Sequence, residues 1–250
     1  MWYVEFLRAR KALGIYGLFV LFLALVAIVT RIYQTSHHHG EHFEAISVEG
    51  YAYVAAAMVA VFSTVLATSL AHHLAGHLEI AWTKPIARER LILETMIVDA
   101  VTIAIAYVGT IFVAIGLVSL FAGKISVAVT PLGLGRTAIE LLFIFAFYSV
   151  IQAVTCGQRR MAGMVAGVAW PVLLILIAAP SMGMPASITR SIELLNYLNP
   201  LALLAVRTND GIGTNMLRMQ IWGVPALLDA CALIALGLAI AIVRWRQIEL

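Results

Sequence analysis

The chain has 250 residues, 62% of them hydrophobic and 12% charged, where a soluble domain is about 25% charged. That deficit excludes an ordinary soluble protein and points to an integral membrane protein, for which the useful count is apolar stretches of roughly 20 residues, the length that crosses the hydrocarbon core as helix. The formal charge of +3 fits basic cytoplasmic loops rather than a nucleic-acid surface, and the two cysteines, Cys156 and Cys231, make neither a disulfide framework nor a metal-type spacing.

Met1 to Ala12 puts Trp2, Phe6, Ala9 and Leu13 on one helical face and Glu5, Arg8 and Lys11 on the other. Such a segment is an amphipathic helix lying in the membrane interface, or else a basic flank that orients the first span. The apolar run after it exceeds signal-peptide length and has no A-x-A pattern, so it reads as a retained span.

Six spans are expected, at about 13–33, 50–74, 97–121, 137–155, 161–179 and 222–243, making residues 1–250 one transmembrane domain. Pro171 is a candidate kink in the fifth. Between spans five and six, residues 180–221 contain an apolar segment interrupted at Asn199 and Pro200, with each half too short to cross. Non-helical backbone at membrane depth needs protein or water over it, so this region reads as an outer re-entrant or interfacial helical hairpin. The expected fold class is therefore an all-α membrane protein.

Orientation follows from Lys and Arg. With both termini cytoplasmic, ten fall inside (Arg8, Arg10, Lys11, Lys84, Arg88, Arg90, Arg159, Arg160, Arg244, Arg246) against six outside. That bias favours N-in and C-in, in the cell membrane.

The most charged stretch is Gly76 to Asp99, GHLEIAWTKPIARERLILETMIVD. Pro85 lacks a backbone donor and disfavours helix at Lys84 before it, while suiting the first position of a new helix. A short helix, a break at Thr83-Lys84 and a second helix running into span three are expected, forming a charged cytoplasmic elbow. Such an elbow is suited to docking a soluble partner.

At these residues the chain resembles a known family. Glu79, Trp82-Thr83-Lys84-Pro85, Arg88 and Asp99 look like the E, L-T-K-P-x-x-R, D pattern after the second span of ABC transporter permeases of the type-2 exporter family. Asn199-Pro200-Leu201 is similar to that family's NPL element, and Arg244 to Leu250 to its basic tail. Trp82 replaces a commoner leucine, and the His-rich first outer loop has no counterpart in the pattern. The resemblance implies a coupling helix between spans two and three, and a dimer, most simply a homodimer, docked on two copies of a separate ABC ATPase. Glu79, Trp82, Thr83, Lys84, Pro85 and Arg88 are then the coupling residues. The chain has no G-x-x-x-x-G-K-[ST] phosphate loop, so ATP and Mg are expected in the partner, no cofactor here, and no enzymatic activity of its own. An apolar or amphipathic cargo such as a drug, peptide or lipid is what an exporter implies.

Other constellations carry rival readings. His37, His38, His39 and His42 read as metal ligands or as a solvated outer loop. His72, His73 and His77 form a second group, but about 30 helical residues separate the two by roughly 40 Å, so they cannot share one metal centre. That counts against a membrane-embedded metalloenzyme, and no repeated pair of broken helices supports a secondary transporter. Asp229 and Glu140 lie inside predicted spans, where a central charge costs about 2.5–3.5 kcal/mol. They are candidates for a substrate path, with pairing to a neighbouring helix or reaching the headgroups as the alternatives. Gly163 and Gly167 form a GxxxG that suggests close helix packing.

Overall fold

In the computed structural model of the chain, the described residues are 2–35, 46–82, 88–122, 127–156, 158, 161–182, 185–209, 220–221 and 224–246. They form eight α-helices: α1 (Trp2–Thr35), α2 (Val48–Trp82), α3 (Arg88–Ala122), α4 (Pro131–Thr155), α5 (Ala162–Ala178), α6 (Ala186–Asn196), α7 (Pro200–Asn209) and α8 (Ala226–Arg246). The extended structure among them consists of two-residue pairings. Ile46–Ser47 (β1) lies parallel to Val127–Ala128 (β2), and Gln220–Ile221 (β3) antiparallel to Val224–Pro225 (β4). Five helices, α1 to α4 and α8, are long and apolar enough to cross a membrane. The protein is thus an all-helical, multi-pass membrane protein by the length and composition of its helices. α5 is apolar but only 17 residues long.

Two boundaries differ from the sequence expectation. Residues 2–12 are not a separate helix but the first three turns of α1, which runs unbroken for 34 residues. No proline interrupts that run, and Gly14 and Gly17 are tolerated because an isolated glycine only weakens a helix. The short helix expected over Gly76–Thr83 is the end of α2, which is continuous to Trp82.

The described chain divides into two compact units, Met1–Phe62 with Ile97–Leu141 and Ser63–Met96 with Leu142–Leu250. In the first, α1 buries one stripe, Arg8, Ala9, Tyr16, Val20 and Ala24, and leaves Leu18, Phe19, Leu21, Phe22 and Leu25 exposed as a lipid-facing surface would be. The Tyr16 ring stacks on Phe62 with centroids 4.4 Å apart, and its hydroxyl lies 2.8 Å from Thr110 Oγ1, giving an amphipathic side chain both the packing and the partner it needs. Arg8 meets Asp99 eleven residues before Thr110, so α1 and α3 run parallel. On α2, Ala52, Ala55, Ala56, Val59 and Ala60 make a buried small-residue stripe at helical spacing, the composition that lets backbones approach in lipid. The β1–β2 pairing places the entries to α2 and α4 side by side.

In the second unit, α4 and α8 run parallel: the Ser149 hydroxyl is 3.4 Å from the Leu233 carbonyl, and the Cys156 thiol 3.6 Å from that of Ala241. Between these contacts Gly237 touches α4 so closely that an added Cβ would lie 2.7 Å from the Ser149 backbone. Arg244 donates to the Ala153 and Val154 carbonyls at 3.0 and 3.2 Å, filling acceptors that the end of α4 leaves without helical donors. Trp170 of α5 donates to Thr64 Oγ1 at 3.1 Å and packs on Phe147.

Gly163 and Gly167 meet nothing within 4 Å, so their GxxxG marks no close approach within this chain. The tight glycine is Gly237, which stands in no such motif. Gly237→Ala is therefore expected to destabilise the protein by about 1–3 kcal/mol through overpacking, and Gly163→Ala to leave stability unchanged, as read by denaturant unfolding of detergent-solubilised protein.

Candidate functional site

The charged elbow occupies the junction of two 35-residue helices. Glu79 and Trp82 fall in the last turn of α2, and Arg88 is the first residue of α3. Thr83, Lys84 and Pro85 lie outside the described residues, as do the side chains of Glu79, Trp82 and Arg88. The break expected at Thr83-Lys84 falls on residues 83–87, which lie outside the described residues. Next along α3, Arg90 pairs with Glu94 at 2.8 Å; the arginine is 73% exposed while the carboxylate is buried, so the pair lies at the edge of the packed surface.

Three turns into α3 the chemistry changes. Asp99 is fully buried and carries an ion pair to Arg8 of α1. The Arg8 Nε also holds Glu5 at 2.9 Å. A single buried guanidinium thus lies between two carboxylates and ties α1 to α3. The sequence reading assigned Arg8 to the solvated side of an interfacial helix and gave Asp99 no partner. The signal that would have found the pair is general: an acid within an apolar helix needs a cation from another helix.

Glu140 faces α3, where its Oε2 accepts the Tyr107 hydroxyl at 3.0 Å; the same hydroxyl is 3.2 Å from the Thr137 carbonyl. One turn earlier on α4, Arg136 is also buried. Glu140 is therefore held by a neighbouring helix, the alternative weighed for it from sequence. Asp229 belongs to the other unit and lies in the first turn of α8, nearer the helix end than the span predicted over 222–243 implied. The helix starts after Pro225, which explains the later boundary. Asp229 is 8% exposed, and its Oδ2 is buried with no hydrogen-bond partner.

The broken segment before α8 consists of α6 and α7, joined at Tyr197–Asn199. Asn199 caps α7: its Oδ1 accepts the Leu201 N–H at 3.0 Å, with Pro200 at the first helical position. Its amide donates to the Leu173 carbonyl and to Asn196 Oδ1, both at 2.9 Å. Asn196 donates in turn to the Leu176 carbonyl at 2.8 Å. In a regular helix that carbonyl would receive the N–H of residue 180, but Pro180 has none. Both asparagines are buried, and together they fasten the α6–α7 junction to α5 through backbone acceptors, one of which a proline left open.

His37, His38, His39 and His42 lie outside the described residues, and the side chains of His72, His73 and His77 are likewise not described. Among the described residues no group of three or more His, Cys, Asp or Glu is placed to hold a metal ion. Burial pushes the Cys156 thiol up to about 11, against the pull of the Arg244 charge, so it is protonated at neutral pH and serves as packing. Comparison with protein-family models, with curated proteins and with solved structures finds no match to this chain.

Removing one member of the Arg8–Asp99 pair takes a charge partner from a buried ion, which for Arg8 is offset only in part by Glu5. Asp99→Asn or Arg8→Ala is expected to cost about 3–5 kcal/mol, whereas joint replacement by apolar residues of similar volume costs far less. Unfolding of the three variants in detergent checks this, and equal losses for single and double replacement would contradict it.

Proposed function

We propose that the chain is the membrane-spanning permease subunit of an ABC exporter, working as a homodimer with two copies of a separate ATPase, with both termini cytoplasmic in the cell membrane. The observation that carries this reading is the charged, proline-containing stretch Glu79–Arg88 lying between two long helices. The apolar part of α2 ends at Thr68, yet the helix continues to Trp82. Those last turns extend about 20 Å past it, far enough to carry the elbow clear of the hydrocarbon. ATP binding closes the partner ATPases and displaces the elbow, and α2 and α3 transmit the displacement as stiff helices. Asp99, on α3, passes it to α1 through Arg8. The cargo is an apolar or amphipathic compound.

A sixth crossing, by α5, is part of this proposal. Support comes from the parallel course of α4 and α8, because the chain between them must return to the side where α4 began. α5 is the apolar helix available for that return, and its 17 residues are prolonged by the single 3₁₀ turn Ala179–Met182. The two halves of the outer hairpin correspond to α6 and α7.

Two experiments test the proposal. With Cys156 and Cys231 replaced, Gln158→Cys is expected to react with a membrane-impermeant maleimide only in opened cells, and Ser191→Cys in intact cells. Labelling of both from one side would remove α5 as a crossing. Secondly, the chain is expected to co-purify with an ATPase bearing a G-x-x-x-x-G-K-[ST] loop, and Lys84→Glu with Arg88→Glu to abolish that association and ATP-driven transport. A charge-reversed chain that binds and transports normally would refute the coupling assignment.

A further inference from the structure

We infer that Asp229 is the anionic subsite for a cationic amphiphile, an organic cation such as an amine or quaternary ammonium with an apolar body. The inference rests on the exporter reading and adds the charge class of its cargo.

Six charged side chains are buried among the described residues: Arg8, Glu94, Asp99, Arg136, Glu140 and Asp229. Five have partners. Arg8 and Asp99 hold each other, Glu94 holds Arg90, Glu140 holds the Tyr107 hydroxyl, and Arg136 has a bonded or electrostatic partner. Asp229 is the exception: its Oδ2 is shut away from solvent with no donor upon it, and unlike Glu140, whose Oε1 is also unanswered but whose Oε2 accepts Tyr107, it has no bonded partner among the described residues. A stranded carboxylate of this kind is costly in any protein and more so within an apolar helix.

Its surroundings sharpen the point. Asp229 shares the buried stripe of α8 with Ala226, Ala230 and Leu233. Leu233 meets Ser149, and the two helices run parallel, so the α4 residues level with Asp229 are those one turn before Ser149, around Phe145. None of these stripe neighbours, nor Phe145, offers a side-chain donor or a positive charge. The first turn of α8 favours negative charge through its dipole, which offsets part of the cost of ionisation without supplying a hydrogen bond to Oδ2. An ionised carboxylate against hydrocarbon is complementary to a cation that brings its own apolar body. A neutral ligand would leave the charge unanswered, and an anion would be repelled.

The test uses the purified full-length protein in nanodiscs and radiolabelled tetraphenylphosphonium, a lipophilic cation with no proton to lose. Saturable binding is expected, displaced by dodecyltrimethylammonium and not by dodecanol or dodecanoate. Asp229→Asn is expected to weaken it about tenfold or more, the scale of one charged interaction lost, while Asp229→Glu retains most of it. Undiminished binding by a folded Asp229→Asn protein overturns the assignment. If that variant does not fold, the competitors decide on the unmutated chain: displacement by dodecanol or dodecanoate as effective as by the cation overturns it equally. No ATPase is present, so failure here leaves the permease reading to stand on co-purification, and failure of co-purification leaves cation binding as measured.

Discussion

A charge placed among apolar helices has only the protein to answer it, and the ion pair between Arg8 and Asp99 is where this constraint acts most strongly. The two residues are 91 positions apart, and each would be a liability alone. Joined, they fix the depth and rotation of α1 against α3, because neither helix can slide or turn without exposing an unpaired ion. Tyr16 with Thr110 repeats the arrangement further along the same two helices in neutral form. These contacts explain why α1 can be apolar around most of its surface and still have one defined register. Hydrocarbon gives little preference between apolar faces in lipid, so polar partners do the selecting.

The same constraint governs the backbone. At three places among the described residues where the chain departs from regular helix, a side chain takes the groups left open. Asn196 answers the carbonyl that Pro180 cannot, Asn199 caps α7, and Arg244 closes the end of α4. The α6–α7 junction is accordingly a built feature rather than a loose connection, since both asparagine side chains reach carbonyls of α5 and Asn199 also caps α7. Pro180, in the 3₁₀ turn that follows α5, leaves open one of the carbonyls by which the two short helices are held.

What the sequence made legible was whatever depends on local chemistry. Apolar length marked the long helices, and Asn199-Pro200 marked the interruption that separates α6 from α7. What stayed hidden was non-local. Nothing near Arg8 announces Asp99, and amphipathic spacing over so few residues was consistent with an interfacial helix until the partner was known. The glycines show the same limit. Gly163 and Gly167 have the spacing associated with close packing, but close packing requires a second helix at that face, and among the described glycines Gly237 is the one with a helix against it. The start of α8 moved for a local reason, Pro225, that the apolar count passed over.

The contrast between Glu140 and Asp229 shows why buried acids in one membrane protein need not share a role. Both are acids in apolar helices, and sequence alone gave them the same weight. Glu140 has Tyr107 across from it, so its charge is spent on joining α3 to α4. Asp229 has no such neighbour, although the helix that carries it is otherwise well fastened: Leu233, Gly237, Ala241 and Arg244 all engage α4 on the same stripe. The first turn of α8 is thus set by contacts further along, and Asp229 is held in position by bonds it does not itself make. A rigidly held carboxylate with no described donor on its Oδ2 is the ground on which the proposed cation subsite rests, and Glu140, already bonded to Tyr107, offers no such ground.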